Sequence, residues 1–242
     1  MAAAQDVLIK NLKEHSELTE AEVAEVRSFT CTVRDFEPNQ DLIRQGDEPE
    51  VAALVVSGMV ARYHLLRTGG RQYLSFHIAG DLPDAQSLFI VRMDHAVCAI
   101  GRARIGFIPH RELLAAFRRQ PGVGFAIWRE TLLDAAIFRE AITNNSARSM
   151  RTRMAHLFCE LFYRARVSGL TRGNRCHLPI NLVQLGDALG MSIATVNRTM
   201  QQLRASGAMD FHDGELSVMQ WRELSRLGDF NADYLHLKRQ AR

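Results

Sequence analysis

Asn197, Arg198 and Gln201 lie close together in the carboxyl-terminal third of a 242-residue chain. A guanidinium offers a planar fork that fits guanine or a phosphate, and a carboxamide can pair with adenine or with a phosphate. At helical spacing these three share a side with Ala194, a small residue that leaves room for a close approach. Val196, Met200 and Leu203 recur at intervals of four and three on another side, a stripe that must be buried. Such a helix is anchored by one face and able to meet base edges with the other. For an isolated helix a merely solvated face is the commoner reading. Its neighbours in sequence decide otherwise.

Residues 182–189 read as a short helix with Asn181 placed to cap it, and Gly190 breaks it. Ser192 can then cap a second helix that runs to about Ala205, where Gly207 ends it. Helix, glycine-containing turn and helix form a helix-turn-helix, whose second helix can lie in the major groove. Asp213-Gly214 follows, between the short strand-like runs 208–211 and 216–218, and this is a hairpin signal. A helix-turn-helix followed by a hairpin is a winged helix.

The front half reads differently. Short β-like runs at 41–44, 52–57, 59–66 and 72–78 are separated by Gly46-Asp47, Gly58, Gly69-Gly70 and Gly80-Asp81. Strands this short with glycine turns predict an antiparallel barrel or jelly roll. Between the halves, Pro121-Gly122 opens a helix that can continue to about Asn145. Phe125, Trp128, Leu132, Ala135 and Ile142 recur along it at threes and fours, with Arg139 interrupting, and Leu133, Ile137 and Phe138 broaden the apolar surface. One small barrel cannot cover so much of it.

The string LxxLGDALGMSxxTVNRTMxxLRxSG, from residue 182 to Gly207, resembles the signature of the Crp–Fnr regulators, dimeric bacterial transcription factors with a sensory barrel ahead of a winged helix. The spacing of Gly46-Asp47, Ser57-Gly58, Gly70-Arg71 and Gly80-Asp81 is similar to that family's cyclic-nucleotide-binding barrel. The resemblance spans about residues 18–225. It implies an α+β chain: an N-terminal antiparallel β jelly roll over 1–120, a long dimerisation helix and hinge over 121–149, and a C-terminal winged helix-turn-helix over 150–242. It also implies double-stranded DNA, a second copy of the chain and RNA polymerase as partners. The long helix would pair with its twin across a two-fold axis.

The same resemblance assigns roles on the second helix. In the family a Glu near its start reads cytosine, and an Arg four residues later reads guanine. Arg198 keeps the guanine position. Ala194 stands where the Glu is usual, after Ile193 at the variable position, and could pack on a thymine methyl instead. Ser192 and Thr195 are expected on phosphates, with Asn181 a similar candidate.

The barrel departs further from the pattern. Members that bind cyclic nucleotide carry a Gly-Glu pair and, some ten residues later, an Arg followed by Ser or Thr. A buried phosphate needs such a cation and such donors. Here Asp84 and Ala85 stand at the first pair, and His95 and Ala96 at the second. Arg92 is three residues out of place, and Pro83 removes a donor amide. Cyclic-nucleotide binding in the family's manner is not expected. Only Cys31 lies near the amino end, and one thiolate cannot hold an iron–sulfur cluster. His64, His77, His95 and Cys98 could be proposed as haem ligands, but barrel histidines are more often surface or hydrogen-bonded residues. Cys98 and Cys159 could be oxidation switches, but a buried inert thiol is the more frequent case. No cofactor or metal is assigned. The effector is lost or changed.

Whole-chain numbers agree. Residues 148–242 hold 14 Lys/Arg against 8 Asp/Glu, so the positive half is the half with the helix-turn-helix. Charged residues make up 24% of the chain, ordinary for a soluble protein. There is no membrane-length apolar run and no secretory signal, so a cytoplasmic chain is expected. The four cysteines lack metal-ligand spacing and predict free thiols. No nucleophile–base motif or phosphate loop points to an enzyme. The alternative is a sensing dimer, for a small molecule, a redox signal or haem, whose winged helix serves protein contacts.

Overall fold

A computed structural model describes residues 3–237. Residues 1–2 and 238–242, at the outer ends of the first and last expected domains, lie outside the described residues. Helices α1 (Ala4–His15) and α2 (Glu20–Arg27) come first. Thr19 and Glu22 close a reciprocal capping box at the start of α2.

Seven strands then form the barrel: β1 (Thr32–Phe36), β2 (Asp41–Ile43), β3 (Val51–Ser57), β4 (Val60–Leu65), β5 (Arg71–His77), β6 (Ala96–Ala99) and β7 (Ala103–Pro109). They make two antiparallel sheets, ordered β1-β7-β3 and β2-β6-β4-β5. Four strands lie within a residue of the sequence expectation. The sequence did not signal β1, β6 or β7. Between the sheets Val55, Val60, Val97, Ala99 and Ile105 are fully buried and form a core between the two layers.

Helix α3 (His110–Arg119) leads into α4 (Pro121–Ala147), 27 residues long. At 1.5 Å per residue α4 spans about 40 Å. One face buries Val123, Ala126, Ile127, Leu133 and Ala136 against the rest of the chain. The opposite face leaves Phe125, Trp128, Leu132 and Ile142 exposed by 49–68%, with Ala135 half-buried between them. Leu133 therefore belongs to the inner face, not to an extension of the outer stripe. Ile137 and Phe138 are half-buried.

The last part holds α5 (Met150–Val167), β8 (Thr171–Arg172), β9 (Arg175–His177), α6 (Leu182–Leu189), α7 (Ile193–Ala205), β10 (Met209–His212), β11 (Glu215–Val218) and α8 (Trp221–Leu227). The hairpin inferred from Asp213-Gly214 is the edge of a four-stranded sheet, β10-β11-β9-β8. Strands of two or three residues, such as β8 and β9, carry no readable periodicity in the sequence. One apolar core runs from this part into the barrel, joining Phe158, Leu185, Val196 and Leu203 to Met59, Tyr73 and Phe76. Polar ties cross the same boundary, two of them from α6. Gln72 donates to the Asp187 carbonyl (2.5 Å), and Gln184 donates to Asn39 Oδ1 (3.4 Å).

Candidate functional site

Two glycines shape the helix-turn-helix. Gly190 ends α6 at φ 65°, a left-handed conformation that glycine adopts without strain. Gly186 lies where α6 and the turn touch: a Cβ there would meet the Met191 carbonyl oxygen at 2.6 Å. At the start of α6, Asn181 Oδ1 accepts from the Gln184 amide and Gln184 Oε1 accepts from the Asn181 amide, each at 2.9 Å. The oxygen of Asn181 is thus committed to the helix end, and its amide hydrogens face outward on an exposed residue.

Ser192 caps α7, its Oγ accepting from the Thr195 amide at 3.2 Å. The two hydroxyls also bond each other at 3.0 Å. Val196, Met200 and Leu203 are buried. Ile193, Ala194, Asn197, Arg198 and Gln201 are exposed on one continuous side, and Thr195 is half-buried. The helix exposes two cations, Arg198 and Arg204. Arg204, however, is paired with Asp210 at 2.7 Å and bonded to the Phe211 carbonyl. Among the described residues no carboxylate pairs with Arg198. The wing turns at Asp213 (φ 48°) and Gly214 (φ 75°), the two positive values that a type I′ hairpin requires.

The cassette region of the barrel is built for packing. Asp84 is fully buried, and its Oδ1 accepts from the Ala53 amide on β3 at 2.8 Å. Burial pushes its carboxyl up to about 7, against the pull of that amide and of Arg62. Ala85 opens a buried 3-10 turn over residues 85–88, and Ala96 opens β6. His95 is buried, its Nδ1 2.7 Å from Asp94 Oδ1. Burial, then the nearby Arg62, holds its imidazole below the usual range. Arg92 points to the surface and pairs with Glu48 at 3.0 Å.

Arg62, on β4, was not singled out by sequence, although a charge amid Met59-Val60-Ala61 and Tyr63 breaks an apolar run. It is 2% exposed. Its Nε donates to the Pro83 carbonyl (2.6 Å), and its Nη2 reaches Gln86 Oε1 (3.5 Å) and Asp134 Oδ2 of α4 (2.5 Å). The guanidinium lies 5.4 Å from the ring centre of Phe138.

The haem candidates have other surroundings. His64 is exposed, His77 bonds Ser75 at 2.9 Å, and Cys98 lies beside Arg71. Among the described residues no group of three His, Cys, Asp or Glu side chains is placed to hold a metal ion. Burial pushes the thiols of Cys98 to about 11 and of Cys159 and Cys176 to about 12, which keeps them protonated and unreactive near neutrality. Among the described residues no helix is long and apolar enough to cross a membrane.

Fold and site together define a DNA-binding regulator: a nucleotide-binding type of barrel, a long connecting helix and a winged helix whose second helix has an exposed polar side. Residues 33–120 match the cyclic nucleotide-binding domain, and residues 152–227 match the Crp-like helix-turn-helix domain. The chain belongs to the Crp/Fnr family of transcription regulators. It is 21% identical over 220 residues to an anaerobic regulatory protein of Aggregatibacter actinomycetemcomitans, covering 91% of this chain and 85% of that one. It is 27% identical over 186 residues to the nitrogen fixation regulation protein FixK of Rhizobium meliloti, covering 75% and 79%. The structure of FixK2 from Bradyrhizobium japonicum superposes with a TM-score of 0.73 at 22% identity, over 82% of this chain and 97% of that one.

Proposed function

We propose that this regulator acts as a homodimer on a palindromic operator, through a barrel that no longer takes a cyclic nucleotide. The observation that carries the reading is the exposed stripe of Phe125, Trp128, Leu132 and Ile142 on α4. Apolar surface of this extent on one helix calls for a cover, and a two-fold axis lets the stripe cover itself. Two recognition helices then face two half-sites a helical turn apart. In this reading Arg198 reads guanine, and Asn197 and Gln201 contact bases or phosphates. Ala194 leaves the cytosine-reading position empty beside Ile193. Ser192, Thr195 and the Asn181 amide hold phosphates. Residues 1–120, 121–149 and 150–242 act as barrel, dimer helix with hinge, and DNA-binding domain. The chain works in the cytoplasm beside RNA polymerase and catalyses no reaction.

Loss of cyclic-nucleotide binding rests on Asp84, Ala85, His95 and Ala96. A cyclic phosphate entering the cassette meets a buried carboxyl where donors are needed. Selection from random duplexes, with sedimentation of the protein alone, tests the reading. A palindromic consensus and a dimer are expected. A stable monomer, or a selected site without two-fold symmetry, overturns it. Calorimetry with cyclic AMP and cyclic GMP should show no heat at micromolar concentrations.

A further inference from the structure

The cassette is not simply worn away. A charged side chain of the barrel wall is bonded to it. Arg62 stands on the barrel wall, and its partners come from two other places: Pro83 and Gln86 from the cassette, Asp134 and Phe138 from α4. His95, which stands at the family's arginine position, is 3.4 Å from the side-chain amide of Gln86, itself a partner of Arg62. The cation that the cassette lacks in sequence is thus supplied from a different strand. It faces a carboxylate of the long helix instead of a ligand's phosphate. Arg62 is buried and Asp134 partly exposed; such a pair contributes little against a well-packed apolar pair, but losing Asp134 strands the Arg62 charge in the interior. Its consequence is positional: three separate pieces of chain are fixed to one planar group.

We infer that Arg62 is a built-in occupant of the effector seat: bound to Asp134, it fastens the barrel to the long helix as an effector would, so that the protein binds its operator without a small molecule. Arg62 and Asp134 are positioning residues, since neither lies on the recognition face. The inference rests on the regulator reading above. A free anion would have to displace an intramolecular carboxylate already 2.5 Å from the guanidinium.

The test uses the full-length protein and a duplex that it selects. Arg62→Ala should weaken operator affinity by about 5- to 150-fold, the usual range of coupling between sites. It should leave a hole shaped for a guanidinium. Guanidinium chloride at low millimolar concentration should then restore at least about a third of the lost affinity, while sodium chloride at the same ionic strength restores none; the matched salt is essential because phosphate contacts are salt-sensitive. Asp134→Asn keeps the side chain's shape and guards against a variant that does not fold. It should weaken binding several-fold without a guanidinium response. Unchanged affinity in both variants, or a loss in Arg62→Ala that guanidinium does not reverse, overturns the inference. So does an operator affinity of the unmodified protein that rises on adding cyclic AMP or cyclic GMP. If no duplex is selected, the regulator reading has failed. The tether is then judged by hydrogen exchange of residues 121–147, which Arg62→Ala should speed and guanidinium should slow again. No change in that exchange rejects the tether by itself.

Discussion

Arg164 of α5 lies 2.5 Å from Asp81, in the turn that leaves β5. The same guanidinium donates to the Phe76 carbonyl at 3.0 Å. One arginine of the DNA-binding part thus holds two points of the barrel, and α5 carries α6 and α7 with it. Burial alone would raise the Asp81 carboxyl, but Arg164 and His77 hold it below its ordinary value. Asp81→Ala would take the nearer of two carboxylates from Arg164, whose other ion pair is with Glu160 at 3.6 Å, a change expected to cost about 1–3 kcal/mol. Urea melts should show that loss in the midpoint. A variant as stable as the unmodified chain would mean that the pair is not needed to dock α5.

Asp84 gives a pH test of opposite sign. Its folded value is raised to about 7 from an ordinary 3.8. The folded state therefore holds this proton over a range in which the unfolded chain has released it. The contribution to stability is complete below about pH 4 and is lost as pH rises toward about 7. Asp84→Asn keeps an acceptor for the Ala53 amide and cannot ionise. Its advantage over the unmodified protein should grow by on the order of 2 kcal/mol between pH 5 and pH 8. Thermal melts at the two pH values measure it. A gap that stays constant would mean that Asp84 titrates normally.

Leu132 lies in the middle of the exposed stripe on α4, about half exposed in the single chain. Leu132→Asp should leave the fold intact, because Leu132 is exposed and is no member of the buried apolar clusters. It should shift the sedimentation coefficient from dimer toward monomer and lower operator affinity by at least about tenfold, since one subunit reaches only one half-site. A dimer that persists would place the interface elsewhere on the chain.

The winged helix was the most legible part of the sequence, for a local reason. Asn181, Gly190, Ser192 and Gly207 punctuate two helices whose limits follow from caps alone, and α6 and α7 end at the expected residues. The barrel was legible only where glycine turns separate its strands. Strand β6 reads Ala96-Val97-Cys98-Ala99 and is buried on both faces, so it shows no alternation that would mark it as a strand. On α4 the outer stripe was readable, but Leu133 looked like part of it until the barrel was in place on the other side. Arg62 shows the limit most clearly. Its partners, Pro83 and Asp134, are 21 and 72 residues away in sequence, and no local pattern announces a contact of that range.

The recognition face offers the sharpest discrimination. Arg198 is exposed and without a carboxylate partner among the described residues, so its fork is available to a base or to a phosphate. A bidentate pair with guanine discriminates by about 1–3 kcal/mol against a wrong base. Two half-sites roughly double that if they act independently. Arg198→Ala should therefore flatten the preference at one symmetric base pair in each half-site, besides lowering affinity. A phosphate contact would instead lower affinity evenly across sequences and reduce the salt slope by about one. Ala194→Glu is the complementary change. Ala194 is exposed on the same side, one helical turn before Arg198, and a carboxylate there could accept from cytosine N4. The selected half-site should gain a cytosine preference at one position, next to the guanine preference that Arg198 retains. Selection from random duplexes with each variant reads both effects. An unchanged consensus in Arg198→Ala would make Arg198 a phosphate contact, and base reading would then have to lie with Asn197 and Gln201.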